Sequence, residues 1–193
     1  MKEEVFFDYL SGFVTLSNDE KEIFRSKITS RRYLKGQYLL QQGDHCNHMD
    51  FLLSGSTRTF HVDEEGKEHV FRFAIENWWA TDVPAFLEQK VSATNIQCLE
   101  NTEVIRLDFY RLEELYLEIP KTERLFRILF QKVAVSLEKR IIDNLSLSAK
   151  ERFLIFREEY PQFEQRIPQY MIASYLGITK QYLSEIRSQL ARS

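Results

Sequence analysis

The stretch RIPQYMIASYLGITKQYLSEIRSQL, residues 166–190, decides how the rest of the chain is read. Pro168 can open a short helix, because its fixed φ suits a first helical residue and its missing amide needs no partner there. Ile172, Ala173 and Leu176 fall on one face of that helix. Gly177 ends it, since a residue without a Cβ takes the left-handed conformation at no steric cost. Thr179 then caps a second helix, on which Leu183, Ile186 and Leu190 recur at helical spacing. Ala173 must be small where the second helix crosses the first. Ile172, Leu176, Ile178, Leu183 and Ile186 make a miniature core. With those residues inward, Lys180, Gln181, Ser184, Glu185 and Ser188 face out, as polar side chains near a helix N-terminus do when they read a major groove. The alternative is an ordinary helical hairpin. The DNA-reading arrangement takes Gln169, Thr179, Lys180, Gln181, Ser184, Glu185, Arg187 and Ser188 as its contact set.

Charge supports this placement. The whole chain carries −3, which by itself argues against nucleic acid. Residues 166–193, however, hold Arg166, Lys180, Arg187 and Arg192 against Glu185 alone, a net +3 on a body of −6. A basic end on an acidic body fits a phosphate-facing surface, although four cations also make an ordinary solvated face.

Moving toward the N-terminus, Ser148 and Glu151 have the spacing of a capping box, opening a helix that runs to Tyr160 and stops at Pro161. Before it, Pro120 starts a long helix. Leu125, Leu129, Val133, Leu137, Ile141 and Leu145 recur at intervals of four, with Phe126, Ile128, Phe130 and Val135 widening the stripe. An apolar circumference this wide has surface left for a second copy; the alternative is burial within one chain. Residues 33–108 change period. Short β-type runs at 38–40, 49–53, 57–62, 69–75, 94–99 and 104–107 are separated by turns such as Gly43-Asp44, Ser54-Gly55-Ser56 and Asp63-Glu64-Glu65-Gly66, a spacing that predicts an antiparallel sandwich or barrel. Residues 1–30 read as helical, with an N-cap in Ser17-Asn18-Asp19-Glu20 and Ile23, Phe24 and Ile28 as an apolar stripe.

Several classes are disfavoured. The longest apolar runs, such as Phe51-Leu52-Leu53, are far too short for a bilayer, and the N-terminus lacks the apolar stretch of a signal peptide, so a cytoplasmic protein without membrane contact is expected. Cys46 and Cys98 read as two buried small hydrophobes and are too few for an iron–sulfur cluster, which needs about four thiolates. His45, Cys46 and His48 invite a metal reading but lie in a turn where polar residues belong. Neither a metal nor a cofactor is expected. No nucleophile motif or phosphate-cradling glycine loop is present, and the chain is not expected to be an enzyme.

At this point the layout resembles the catabolite-activator and fumarate-nitrate (CRP/FNR) family of transcription regulators, over nearly the whole chain. The marks are Lys35-Gly36-Gln37, Gly43-Asp44, Leu53-Ser54-Gly55 and Asp63-Glu64-Glu65-Gly66, similar to the hairpin glycines of the cyclic-nucleotide-binding fold. Arg166-Ile167-Pro168-Gln169 with Ile172-Ala173-Ser174-Tyr175-Leu176-Gly177-Ile178-Thr179 resembles family members from Bacteroidetes. The resemblance implies an α+β fold. An antiparallel β-roll (double-stranded β-helix) sensor domain spans 1–119, a long dimerisation helix 120–146 and a helix-turn-helix domain 147–193. It implies a homodimer on double-stranded DNA, with RNA polymerase as a further candidate partner and an unknown small-molecule effector.

The chain departs from the family at the effector site. Cyclic-nucleotide binders place a Gly-Glu pair on the ribose and, about ten residues on, an Arg with Ser or Thr and Ala on the phosphate. Here the aligned residues are Trp79, Ala80, Thr81 and Asp82, then Val91, Ser92 and Ala93. Ala80 stands for Gly, Thr81 for Glu and Val91 for Arg. A cyclic phosphate calls for a guanidinium fork that Val91 lacks, and Lys90, its neighbour on a strand, would face the other way. The expectation is a regulator whose roll does not respond to cyclic AMP. The alternative is a small-molecule-binding roll with degenerate or weak DNA binding.

Overall fold

The computed structural model describes residues 2–191. Helices α1 (Lys2–Ser11) and α2 (Asn18–Lys27) open the chain. The Ser17 side chain accepts from the Glu20 amide while the Glu20 side chain accepts from the Ser17 amide, so the predicted N-cap is a full capping box. The helical reading of residues 1–30 overshoots at its end. Strand β1 (Ile28–Tyr33) begins at Ile28, because its backbone pairs antiparallel with β8 (Thr102–Asp108), Ile28 opposite Leu107. That partner lies too far along the chain for any local pattern to announce it.

Six more strands complete two four-stranded antiparallel sheets: β2 (Tyr38–Leu40), β3 (His48–Ser54), β4 (Thr57–Val62), β5 (Glu68–Ala74), β6 (Trp79–Ala80) and β7 (Asn95–Cys98). The sheet orders are β1-β8-β3-β6 and β2-β7-β4-β5. The predicted runs fall on six of these strands; β1 and the two-residue β6 went unread, as did the short helix α3 (Val83–Glu88). Gly55 turns β3 into β4 at φ +91°, and a Cβ there would lie 2.5 Å from the Thr102 hydroxyl. Only glycine fits that corner.

The remaining helices are α4 (Phe109–Glu118), the long α5 (Lys121–Ser146), α6 (Ala149–Glu159), α7 (Phe163–Arg166), α8 (Gln169–Leu176) and α9 (Lys180–Ala191). The fold is α+β, as the sequence predicts. The chain forms two compact units, residues 1–61 with 72–131 and residues 62–71 with 132–193. In the first, an aromatic core ties α1 to the roll: Phe6 meets Phe51 at 5.1 Å, Phe51 meets Trp79 at 5.4 Å and Trp79 meets Phe126 at 5.8 Å, mostly edge to face. Cys46 and Cys98 are free and buried in this core. In the second unit Phe153, Phe156, Phe163, Ile167, Met171, Ile172, Leu176, Leu183 and Ile186 are buried. Along α5 the same unit leaves Val135, Leu137, Ile141, Ile142 and Leu145 exposed, Leu145 at 84%.

Candidate nucleic-acid interface

The helix-turn-helix forms from short-range chemistry. Pro168 is the N-cap of α8, and Gly177 ends it at φ +70° with its amide bonded back to α8 carbonyls. The Thr179 hydroxyl accepts from the Tyr182 amide at 3.1 Å, capping α9 as the sequence predicts. Ile172, Ala173, Leu176, Leu183 and Ile186 are all buried, and Ile178 is partly so. The miniature core is therefore real.

Gln169 and Thr179 lie exposed at the starts of the two helices, and Lys180, Gln181, Ser184, Glu185 and Ser188 are exposed along α9. An open depression on this face is lined by Gln181, Ser184, Glu185, Ser188 and Gln189. Gln189 shares the face and was not among the expected contacts; it lies four residues beyond Glu185, a spacing that could have flagged it. Tyr182, 46% exposed in the first turn of α9, also went unread. Arg187 differs from the rest. It is only partly exposed and its guanidinium stands 3.8 Å from Glu164, whose carboxylate is already bonded to Arg157 at 2.7 Å. Among the described residues Lys180 and Glu185 have no side-chain partner.

Within the roll, the residues aligned with the nucleotide cassette are bonded to their own chain. The Thr81 hydroxyl donates to the His48 carbonyl at 3.0 Å and lies 3.4 Å from the Cys46 sulfur, whose thiol is pushed up in pKa by burial. The buried Asp82 carboxylate accepts from the Ser92 hydroxyl at 2.7 Å, the Thr94 hydroxyl at 3.2 Å and the Ala85 amide at 3.3 Å. Ala80 is buried on β6 and Trp79 packs into the aromatic core. Val91 is 51% exposed. Ala93 is exposed, and its carbonyl accepts from His61 Nδ1 at 2.8 Å. Lys90 does not sit on a strand. It follows α3 in a turn, with its amide bonded to the Ala85 carbonyl and its ammonium paired with Glu88 at 2.6 Å. His48 holds Asn47 and the Leu39 carbonyl with its two ring nitrogens, and His69 pairs with Asp63 at 2.6 Å. Among the described residues no three His, Cys, Asp or Glu side chains converge on a point that could hold a metal. No helix among them is long and apolar enough to cross a membrane.

Residues 30–118 match the cyclic nucleotide-binding domain. The chain is 27% identical over 165 residues to the transcriptional activator protein Anr of Pseudomonas protegens, and 28% identical over 165 residues to the transcriptional activator protein FnrA of Stutzerimonas stutzeri. Each match covers 79% of this chain and 66% of the relative, so the chain spans just under two thirds of their length. Its fold is similar to that of FixK2 from Bradyrhizobium japonicum, with a TM-score of 0.69 at 15% identity over 86% of this chain and 85% of the other. It is also similar to the c-di-GMP responsive global regulator CLP of Xanthomonas campestris, with a TM-score of 0.64 at 16% identity over 91% and 92%. In sequence the chain is thus similar to transcriptional activators, and its roll of two antiparallel sheets, long helix and C-terminal helix-turn-helix share the fold of these solved regulators.

Proposed function

We propose that this protein is a cytoplasmic, sequence-specific DNA-binding regulator that acts as a homodimer. One observation carries the reading: α9 presents Lys180, Gln181, Ser184, Glu185 and Ser188 on one exposed face beyond a Thr179 cap, over a closed apolar core. Helices of this kind insert their N-terminal residues in a major groove, and a twofold protein reads two half-sites about 34 Å apart. The second copy covers the exposed apolar residues of α5. RNA polymerase is a further partner, and Gln169, Thr179 and Arg187 complete the contact set, Arg187 once it leaves Glu164. The domains follow as a roll over 1–119, a dimerisation helix over 120–146 and a DNA-binding domain over 147–193.

The roll is read as unresponsive to cyclic AMP. Thr81 and Asp82 are engaged by their own chain, and Val91 supplies no charge for a cyclic phosphate. Any small molecule the roll takes is of another kind, in the vicinity of Trp79–Asp82 and Val91–Ala93.

A second reading, a roll protein with weak DNA binding, draws on Glu185, an acid at the middle of the α9 face that has no ion-pair partner among the described residues. Selection of bound sequences from a random pool of DNA duplexes, with and without cell extract, separates the two. A twofold consensus whose affinity falls steeply with salt supports the regulator; recovery of random sequence in both arms overturns it.

A further inference from the structure

The short helix α7 sets one carboxylate between two arginines. Phe163 and Ile167, on either side of Glu164, are buried, and the Phe163 ring stacks on Tyr160 at 5.0 Å and tilts against Phe156 at 5.9 Å. The Ile167 amide closes the turn on the Phe163 carbonyl at 2.8 Å. Glu164 is thus presented from a well-anchored backbone. Its Oε2 accepts from Arg157 Nε of α6 at 2.7 Å, and its Oε1 faces Arg187 Nε of α9 at 3.8 Å. The Glu164 side chain is 21% exposed, against 45% for Arg157 and 38% for Arg187, so salt screens it less than a fully exposed acid.

The two contacts differ in kind. That to Arg157 is a charge-assisted hydrogen bond, whereas that to Arg187 is too long for one and acts through charge alone. Arg187 is therefore held loosely, with the energy of an ordinary surface pair. It can leave without stranding the acid, because Arg157 remains as the counter-ion. Its place on α9 matters too. Arg187 lies three residues after the exposed Ser184 and one after the buried Ile186, on the border between the presented face and the core face. From that border a long, flexible side chain can turn either toward Glu164 or toward the outward face.

We propose that Glu164 is a specificity-determining residue for DNA, which withholds Arg187 from loosely bound duplex and yields it only to a phosphate fixed at hydrogen-bond distance. The inference rests on the DNA-binding reading above. A non-specific complex is held by phosphate charge, and its mobile contacts do not outcompete an ion pair already formed. A complex in register with its bases fixes each phosphate. The guanidinium then exchanges a carboxylate at 3.8 Å for a direct charge-assisted bond. Glu164 thereby lowers non-specific affinity more than specific affinity and widens the ratio between them.

The test uses the full chain with Glu164→Gln, Arg187→Gln, the two together, and Arg157→Gln. Gln keeps the size of Glu164 and can still accept from Arg157. One readout is fluorescence anisotropy on a selected operator and on scrambled DNA, each over a range of salt. Glu164→Gln is expected to raise affinity for scrambled DNA about two- to fivefold, to raise operator affinity less, and to steepen the salt slope on scrambled DNA by about one phosphate contact. With Arg187→Gln already in place the same change should give no further gain. An equal gain on both DNAs, or an equal gain with and without Arg187, overturns the proposal, because the acid then acts only through its general negative charge. The second readout needs no DNA: the rate at which a dicarbonyl reagent modifies Arg187, followed by mass spectrometry. Modification should be about two- to fivefold faster in Glu164→Gln and slower in Arg157→Gln, where Glu164 no longer divides its charge between two arginines. An unchanged rate in Glu164→Gln overturns the proposal; if that variant folds poorly, an unchanged rate in Arg157→Gln does so. A wild-type chain that binds no duplex defeats the DNA-binding reading instead, and the modification rates still decide whether Glu164 holds Arg187.

Discussion

The carboxylate of Asp50 takes Arg106 in a bidentate grip, Oδ1 to Nε at 2.8 Å and Oδ2 to a terminal nitrogen at 2.7 Å, from residues directly opposite each other on β3 and β8. Asp50 is wholly buried, and the Tyr33 hydroxyl accepts a further Arg106 N–H at 2.9 Å. Removing one partner leaves the other charged without compensation. Arg106→Met should therefore cost about 3–5 kcal/mol, and the pair Asp50→Asn with Arg106→Met distinctly less. Urea unfolding at neutral pH measures both. A double variant as unstable as the single one counts against an uncompensated charge as the cause.

His48 gives the roll a pH dependence. Burial holds its pKa below the ordinary value, with Asp50 opposing in part. The unfolded chain then takes a proton that the folded ring resists. Stability is full above the unfolded value of about 6.5 and falls as pH drops through the window below it, by at most about 1.4 kcal/mol per pH unit for one group. Unfolding followed at pH 7, 6 and 5 should show this slope in the wild type and a shallower one in His48→Gln. Parallel slopes would assign the acid loss elsewhere.

The exposed apolar face of α5 predicts self-association. Leu137→Glu places a charge among Val135, Ile141 and Ile142 and should convert a dimer to a monomer. Light scattering at micromolar concentration checks it; a monomeric wild type would remove the basis of the twofold DNA reading.

Cyclic AMP should not bind the roll tightly. The expected calorimetric result is no heat at micromolar nucleotide. Thr81→Glu with Val91→Arg is expected to create weak affinity at most, since Thr81 and its neighbour Asp82 already hold the local backbone together. A micromolar dissociation constant in the wild type would defeat this.

Among the described residues Glu185 has no ion-pair partner on the face of α9, and the nearby Arg187 faces Glu164 instead. A carboxylate there can accept from the amino group of a cytosine, a contact worth about 1–3 kcal/mol of discrimination. Glu185→Gln and Glu185→Ala should lower affinity for the selected operator and raise it slightly for scrambled DNA, read by anisotropy. If both affinities rise together, Glu185 is a brake on binding rather than a reader.

Features closed within a few residues could be read directly from the chain. The capping boxes Ser17/Glu20 and Ser148/Glu151, the left-handed Gly177 and the Thr179 cap each complete their bonds three or four positions away, so residue type and spacing suffice to specify them. The outward face of α9 follows from the same periodicity. The start of β1 at Ile28, the grip of Asp50 on Arg106 56 residues away and the bond of Val70 to Ser174 104 residues away were settled only in three dimensions. In each, the partner is chosen by where the folded chain passes, and no local propensity records that path. Arg187 makes the point on the interface itself: its type and position read as a DNA contact, and only the approach of Glu164 from another helix shows that its charge is already shared.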